Sequence, residues 1–185
     1  VKGDCKVKDG YIKVAAVTPQ VTVADVKENT KEILKVIREA AAQKAKIIVL
    51  PELCITGYTC QDLFLQEILL REAKDALIEI SNQTKGIDAL IFLGMPLEYH
   101  GKLYNTAAVL NHGNILGFVP KRYIPNYNEF YEVRHFTKGM EEPVFVRLNQ
   151  EITVPMGMNL LFCCEEVPEL KVAAEICEDL WTMQP

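Results

Sequence analysis

Short apolar runs alternate with longer stretches of helical period through the first half of the chain. Tyr11–Val17 (Y-I-K-V-A-A-V) reads as a strand buried on at least one face. Thr18-Pro19-Gln20 signals a turn. Asp25 is placed to cap a helix in which Val26, Thr30, Ile33, Leu34, Ile37, Ala40 and Ala41 recur at helical spacing, with Lys and Glu between them. Lys46–Leu50 is a second buried strand, closed by Pro51-Glu52. Leu53–Cys60 then reads as a loop pivoting on Gly57. After Gln61-Asp62 comes a second helix, with Leu63, Phe64, Ile68, Ala73, Ala76, Leu77 and Ile80 on its apolar side. Ala89–Met95 is a third buried strand, ended by Pro96. Strands and helices alternating at this length predict a βαβαβ start.

The pattern then changes. His100-Gly101-Lys102 and Asn111-His112-Gly113-Asn114 are hairpin signals, and they bracket the strands Tyr104–Leu110 and Ile115–Val119. A parallel start running into antiparallel strands predicts one mixed sheet. Beyond Pro120-Lys121, the stretch Arg122–Phe136 is a long loop dense in aromatic and charged residues, a kind that is often functional when ordered. Glu142–Leu148, Gln150–Val154 and Met158–Cys164 are further strand candidates, and Val172–Ile176 is predicted as a last strand running into Cys177. No repeat, low-complexity tract or linker divides the chain. Residues 1–10 read as a polar arm and residues 11–185 as one α/β domain.

Composition narrows the function classes. At 49% hydrophobic and 24% charged, the 185 residues can bury a real core. A net charge of -5 argues against nucleic acid or an anionic membrane as the main partner. With no apolar run of spanning length and no apolar signal core at the start, the expectation is a cytoplasmic protein. The six cysteines have no zinc-like spacing and read as free thiols. The three histidines are scattered, so no metal site is expected, and only His135 lies near another feature.

Three residues stand at predicted strand ends: Glu52, Lys121 and Cys177. In α/β proteins such ends gather at one edge of the sheet, where sites form. Cys177, followed by Glu178, Asp179, Leu180 and Trp181, sits where a strand passes into a helix, and a helix N-terminus lowers the pKa of a thiol. A free cysteine is also commonly just a small buried hydrophobe. A carboxylate, a lysine and a cysteine can together divide acyl-transfer chemistry without histidine.

The sequence around each of the three resembles the nitrilase superfamily, the carbon–nitrogen hydrolases. The matching segments are V-L-P-E-L-C-I-T-G-Y at Glu52, P-K-R-Y-I-P-N-Y-N-E-F-Y-E at Lys121 and A-E-I-C-E-D-L-W at Cys177, in the family's order and spacing. Within that superfamily, I-K-V-A-A-V-T-P, G-Y-T-C-Q-D-L-F and N-Y-N-E-F-Y-E-V-R-H-F resemble the glutaminase domain of glutamine-dependent NAD synthetases.

The resemblance implies an α-β-β-α sandwich with mixed sheets. It implies Cys177 as nucleophile, Glu52 as general base and acid, and Lys121 as oxyanion donor. Glu132 would hold Lys121, with Glu129 as its rival. Tyr58, Tyr127 and Phe130 would line a glutamine pocket, and Glu178 would meet the α-ammonium, though an acid in a first helical turn has a purely structural use as well. Glutamine is the implied substrate, and no cofactor is implied in this unit. ATP and Mg belong to a synthetase domain of which this chain carries no phosphate loop. Family domains continue past the cysteine with further strands and a helix. A sheet stopping at Pro185 would be incomplete, with an unpaired edge and apolar face that favour a homo-oligomer.

Overall fold

In the computed structural model, which describes residues 10–183, two helices lie on one face of a seven-stranded sheet. Nine residues of the expected polar arm therefore lie outside the described residues. Strands β1 (Val14–Ala16), β2 (Ile47–Val49) and β3 (Leu90–Tyr99) are parallel and joined through α1 (Val26–Ala42) and α2 (Glu67–Gln83). β4 (Lys102–Asn111) and β5 (Asn114–Pro120) continue the sheet antiparallel. β6 (Val144–Arg147) and β7 (Thr153–Met156) complete it in the order β1-β2-β3-β4-β5-β7-β6. β8 (Phe162–Cys163) and β9 (Lys171–Val172) form a separate two-stranded ribbon.

Side-chain alternation sorts the sheet's two faces. Ile48, Ile91, Leu93, Met95, Ala108, Leu110 and Phe118 join Ile33, Ile37, Leu77 and Ile80 of the helices in the main core. Phe92, Ala107, Val109 and Val119 point the other way and pack with Ile176 of the C-terminal segment, with Phe162 and Val172 of the ribbon against them. Asp25 caps α1 through a bond from Glu28 N at 3.0 Å, a cap commonly worth about 1 kcal/mol. Both hairpins turn on two residues with positive φ, His100-Gly101 and His112-Gly113, the backbone that matches strand twist.

Several sequence expectations are corrected. The first strand is only Val14–Ala16. The second helix begins at Glu67: residues 61–65 form a separate 3₁₀ turn, which leaves Leu63 and Ile68 exposed and puts Leu69 in the core instead. Pro96 does not end β3. Phe92 and Gly94 direct their carbonyls toward Leu50 and Ile55, so residue 96, with the same alternation, faces the side that β2 no longer reaches and its missing N–H is not needed. Met158–Cys164 shrinks to Phe162–Cys163, and Val172–Ile176 is not a strand beyond Val172. Its apolar side chains are buried by lying on the sheet's second face, not by pairing within it.

Candidate active site

Glu52 reaches the site because the chain after β2 stays on the sheet. Leu50 N donates to Phe92 O at 2.9 Å and Ile55 N to Gly94 O at 3.2 Å, so the Pro51–Ile55 segment runs along β3. This contact requires a glycine. A Cβ on Gly94 would lie 2.3 Å from both Leu53 N and Pro51 O. Asn29, fully buried on α1, ties the far end of the loop with bonds to Thr22 O at 2.8 Å and Ile55 O at 3.0 Å.

Lys121 follows β5 directly and has no exposed surface. A buried ammonium is costly unless paired. Its Nζ donates to Glu52 Oε1 at 2.7 Å and to both oxygens of Glu132 at 2.8 and 2.9 Å. Burial pulls the Lys121 pKa down, but the two carboxylates outweigh it and the net shift is upward. Of the two candidate glutamates in the loop, Glu132 is buried on the lysine and Glu129 is exposed. Tyr58 donates to Glu132 Oε1 at 2.7 Å; burial first, then that bond, hold its hydroxyl protonated well above the usual range. Asn105 on β4 adds a second donor to Glu52 Oε1 at 2.5 Å.

The lysine loop is closed at its base by Gly139 N to Lys121 O at 2.9 Å. Its outer part is clamped to the glutamate loop where Arg134 grips Asp62 with two bonds, at 2.6 and 2.8 Å. His135 faces the same Asp62 at 3.0 Å, beside Phe64, and so belongs to this clamp.

Cys177 comes from the segment lying on the sheet's second face. It opens a five-residue 3₁₀ turn, Cys177–Trp181, and holds a φ of 49°, a strained backbone for a non-glycine residue. The expected strand-to-helix junction is thus replaced, and so is its expected effect on the thiol. The Cys177 pKa is raised: burial is the largest cause, the Glu52 carboxylate adds to it, and Lys121 only partly offsets them because it is already neutralised by two acids.

Asp179, read in the sequence only as an acid in a helix's first turn, is buried and holds this turn in place. It accepts from Tyr123 N at 2.8 Å, from Arg122 N at 3.1 Å and from Ile176 N at 3.2 Å, which fastens the cysteine turn to the residues just after Lys121. Tyr127 makes a second link, donating to Glu178 Oε2 at 2.8 Å, and packs edge-on against the half-buried Phe130 at 5.5 Å.

A cleft of about 260 Å³ lies between the sheet and the 172–177 segment, lined by Glu52, Gly94, Asn105, Ala174, Ile176 and Cys177. Tyr58, Tyr127, Phe130 and Glu178 are not among its lining residues. Asn105, Asp179 and Gly94 were not singled out in the sequence. The available signals were a polar residue inside the buried run Tyr104–Leu110, an acid two places past the cysteine, and a glycine inside a strand. Among the described residues, no group of three or more His, Cys, Asp or Glu could hold a metal, and no helix is long and apolar enough to cross a membrane.

Known proteins resemble this chain in sequence and fold. The family model for carbon-nitrogen hydrolases matches residues 13–184. A glutamine-dependent NAD(+) synthetase of Mycobacterium tuberculosis is 35% identical over 176 residues, 95% of this chain and 26% of that protein. One from Aquifex aeolicus is 38% identical over 160 residues, 86% of this chain and 24% of that protein. The crystal structure of a glutamine-dependent NAD(+) synthetase from Cytophaga hutchinsonii superimposes with a TM-score of 0.82 at 31% identity, covering 90% of this chain and 28% of that one. An amidase from Nesterenkonia, at 20% identity, shares the fold with a TM-score of 0.58 over 74% of this chain and 51% of its own. The chain spans about a quarter of the length of the curated relatives it matches. It has the nitrilase-like fold, built on a mixed sheet, and it belongs to the carbon-nitrogen hydrolase family.

Proposed function

We propose that this chain hydrolyses the side-chain amide of glutamine through a cysteine thioester. The observation that carries the reading is the buried Lys121, bonded at once to Glu52 and Glu132 in the immediate electrostatic surroundings of Cys177. The likeness to glutamine-dependent NAD(+) synthetases supports glutamine over other amides. Glu52 takes the thiol proton as sulfur attacks the amide carbon. An ammonium has three N–H donors; with one given to Glu52 and one shared between the two oxygens of Glu132, the third serves the developing oxyanion. Glu52 then gives its proton to the leaving nitrogen and ammonia departs, leaving a thioester. Glu52 next takes a proton from water as the water attacks the thioester. Glutamate is released and the thiol is restored.

Glu132 keeps Lys121 charged and in place, and Tyr58 orients Glu132 in turn. Tyr127 and Phe130, which pack on each other outside the lining of the cleft, are assigned here to an aromatic wall for substrate, with Glu178 as the acid for its α-ammonium. The ammonia serves a synthetase domain that amidates deamido-NAD with ATP and Mg, while the glutaminase unit itself needs no cofactor. On the same reading the protein is cytoplasmic and homo-oligomeric.

Ammonia release assayed over glutamine, asparagine and simple aliphatic amides tests the reading. Turnover is expected with glutamine, with a loss of about 10³-fold or more in Cys177→Ala while the fold is kept. Turnover of aliphatic amides but not glutamine would overturn the substrate, and wild-type turnover in Cys177→Ala would overturn the nucleophile.

A further inference from the structure

Asn105 is buried in the middle of β4, opposite Pro96 on β3, and two chemical groups of the site meet on it. Its carbonyl accepts Lys121 N at 2.8 Å, and its side-chain Nδ2 donates to Glu52 Oε1 at 2.5 Å. The amide must face this way, because the reverse would set its oxygen against a carboxylate oxygen. The consequence is an orphan: Asn105 Oδ1 is buried with no hydrogen-bond partner among the described residues. A leucine would fill the same space without that penalty. Among the described residues the one hydrogen bond the side chain makes is the one to Glu52.

That bond makes the carboxylate lopsided. Oε1 already accepts from Lys121 Nζ at 2.7 Å, so with Asn105 it carries two strong donors. Oε2 is left as the oxygen free to take a proton. The other ionisable groups facing Glu52 are Cys177, Tyr58 and, across the lysine, Glu132. None of these adds a donor to Oε1.

We propose that Asn105 is a positioning residue: by donating to Oε1 beside Lys121 it fixes the Glu52 carboxylate and leaves proton transfer to Oε2. This rests on the reading of Glu52 as the base in the proposed amide hydrolysis. Asn105→Leu, made in the full-length protein, should lower kcat for glutamine about 10- to 100-fold and leave KM within about threefold, since geometry and not substrate affinity is disturbed. Thermal stability should hold or rise as the orphan acceptor disappears.

Carboxyl carbon-13 NMR of Glu52, assigned by Glu52→Gln, reads the same pair without substrate. At one fixed pH its chemical shift should move in Asn105→Leu as Oε1 loses a donor. Asn105→Asp keeps the shape but replaces the donor with a carboxylate and should lower kcat in the same way, so a Leu variant that fails to fold still leaves the question decided. An unchanged Glu52 signal together with an unchanged kcat in either variant would overturn the proposal. An enzyme inactive on every amide would sink the functional reading alone, while the Glu52 signal would still decide for or against Asn105.

Discussion

The site joins two regions built on opposite plans. Glu52, Lys121 and Asn105 sit on or just past strands of the main sheet and are locked by hydrogen bonds to one another. Cys177 rides on a segment with almost no regular structure, at a strained φ, and is itself exposed. The first region is rigid because every strand beneath it is paired on both sides and packed against helices. The second is placed by its contacts with the first: Ile176 sunk into the sheet's second face and Asp179 bonded to backbone after Lys121. Glu52, Lys121 and Asn105 are thus fixed by the fold, while Cys177 is held by a few specific contacts that can be cut one at a time.

Breaking the rigid region should cost most. Lys121→Met leaves two carboxylates facing each other with no cation between them, one of them buried, and should lose about 3–5 kcal/mol of stability in denaturant titrations as well as activity. The sign of the pH dependence follows from the raised Lys121 pKa. The wild-type advantage is complete below the ordinary lysine value of 10.5 and fades only as pH climbs through the higher folded value. Equal stability of the two proteins at neutral pH would show that the network is not a structural unit.

Cutting the tether is the middle case. Asp179→Ala removes the acceptor for backbone N–H groups of Arg122, Tyr123 and Ile176, and should cost about 1–3 kcal/mol. Its sharper effect should be local: faster hydrogen exchange in residues 172–182, with the amides of β3 and β4 unchanged. Loosening of the central strands to the same degree would mean that the two regions are one cooperative body.

The smallest effect concerns the resting thiol. Alkylation of Cys177 by iodoacetamide, followed by mass spectrometry of its peptide, should be slow at neutral pH and rise only on the alkaline side of the ordinary thiol value of 9.0. In Lys121→Met the rise should move to still higher pH, because the one charge favouring thiolate is gone. A reactive thiolate at neutral pH would mean that helix-end activation dominates after all.

Much of this was legible in the chain itself. The 3.6-residue period wrote α1 with its Asp25 cap, and the His-Gly dipeptides wrote both hairpins, because these are local signals: a few neighbouring residues carry all the physics. The strands carrying Glu52 and Lys121 were legible for the same reason. Pro96 misled because a missing N–H matters only if a neighbour asks for it, and where β2 ends is not written near residue 96. Val172–Ile176 misled because an apolar run records that it is buried, not whether it is buried by pairing or by lying flat on a sheet. What the sequence by itself determined, therefore, is the mixed α/β architecture and the residue types that carry the chemistry. Only the tertiary structure decided which glutamate holds the lysine, that Asn105 and Asp179 serve the site, and that the thiol's pKa goes up. Each of these depends on a group distant along the chain, and burial and charge act through space.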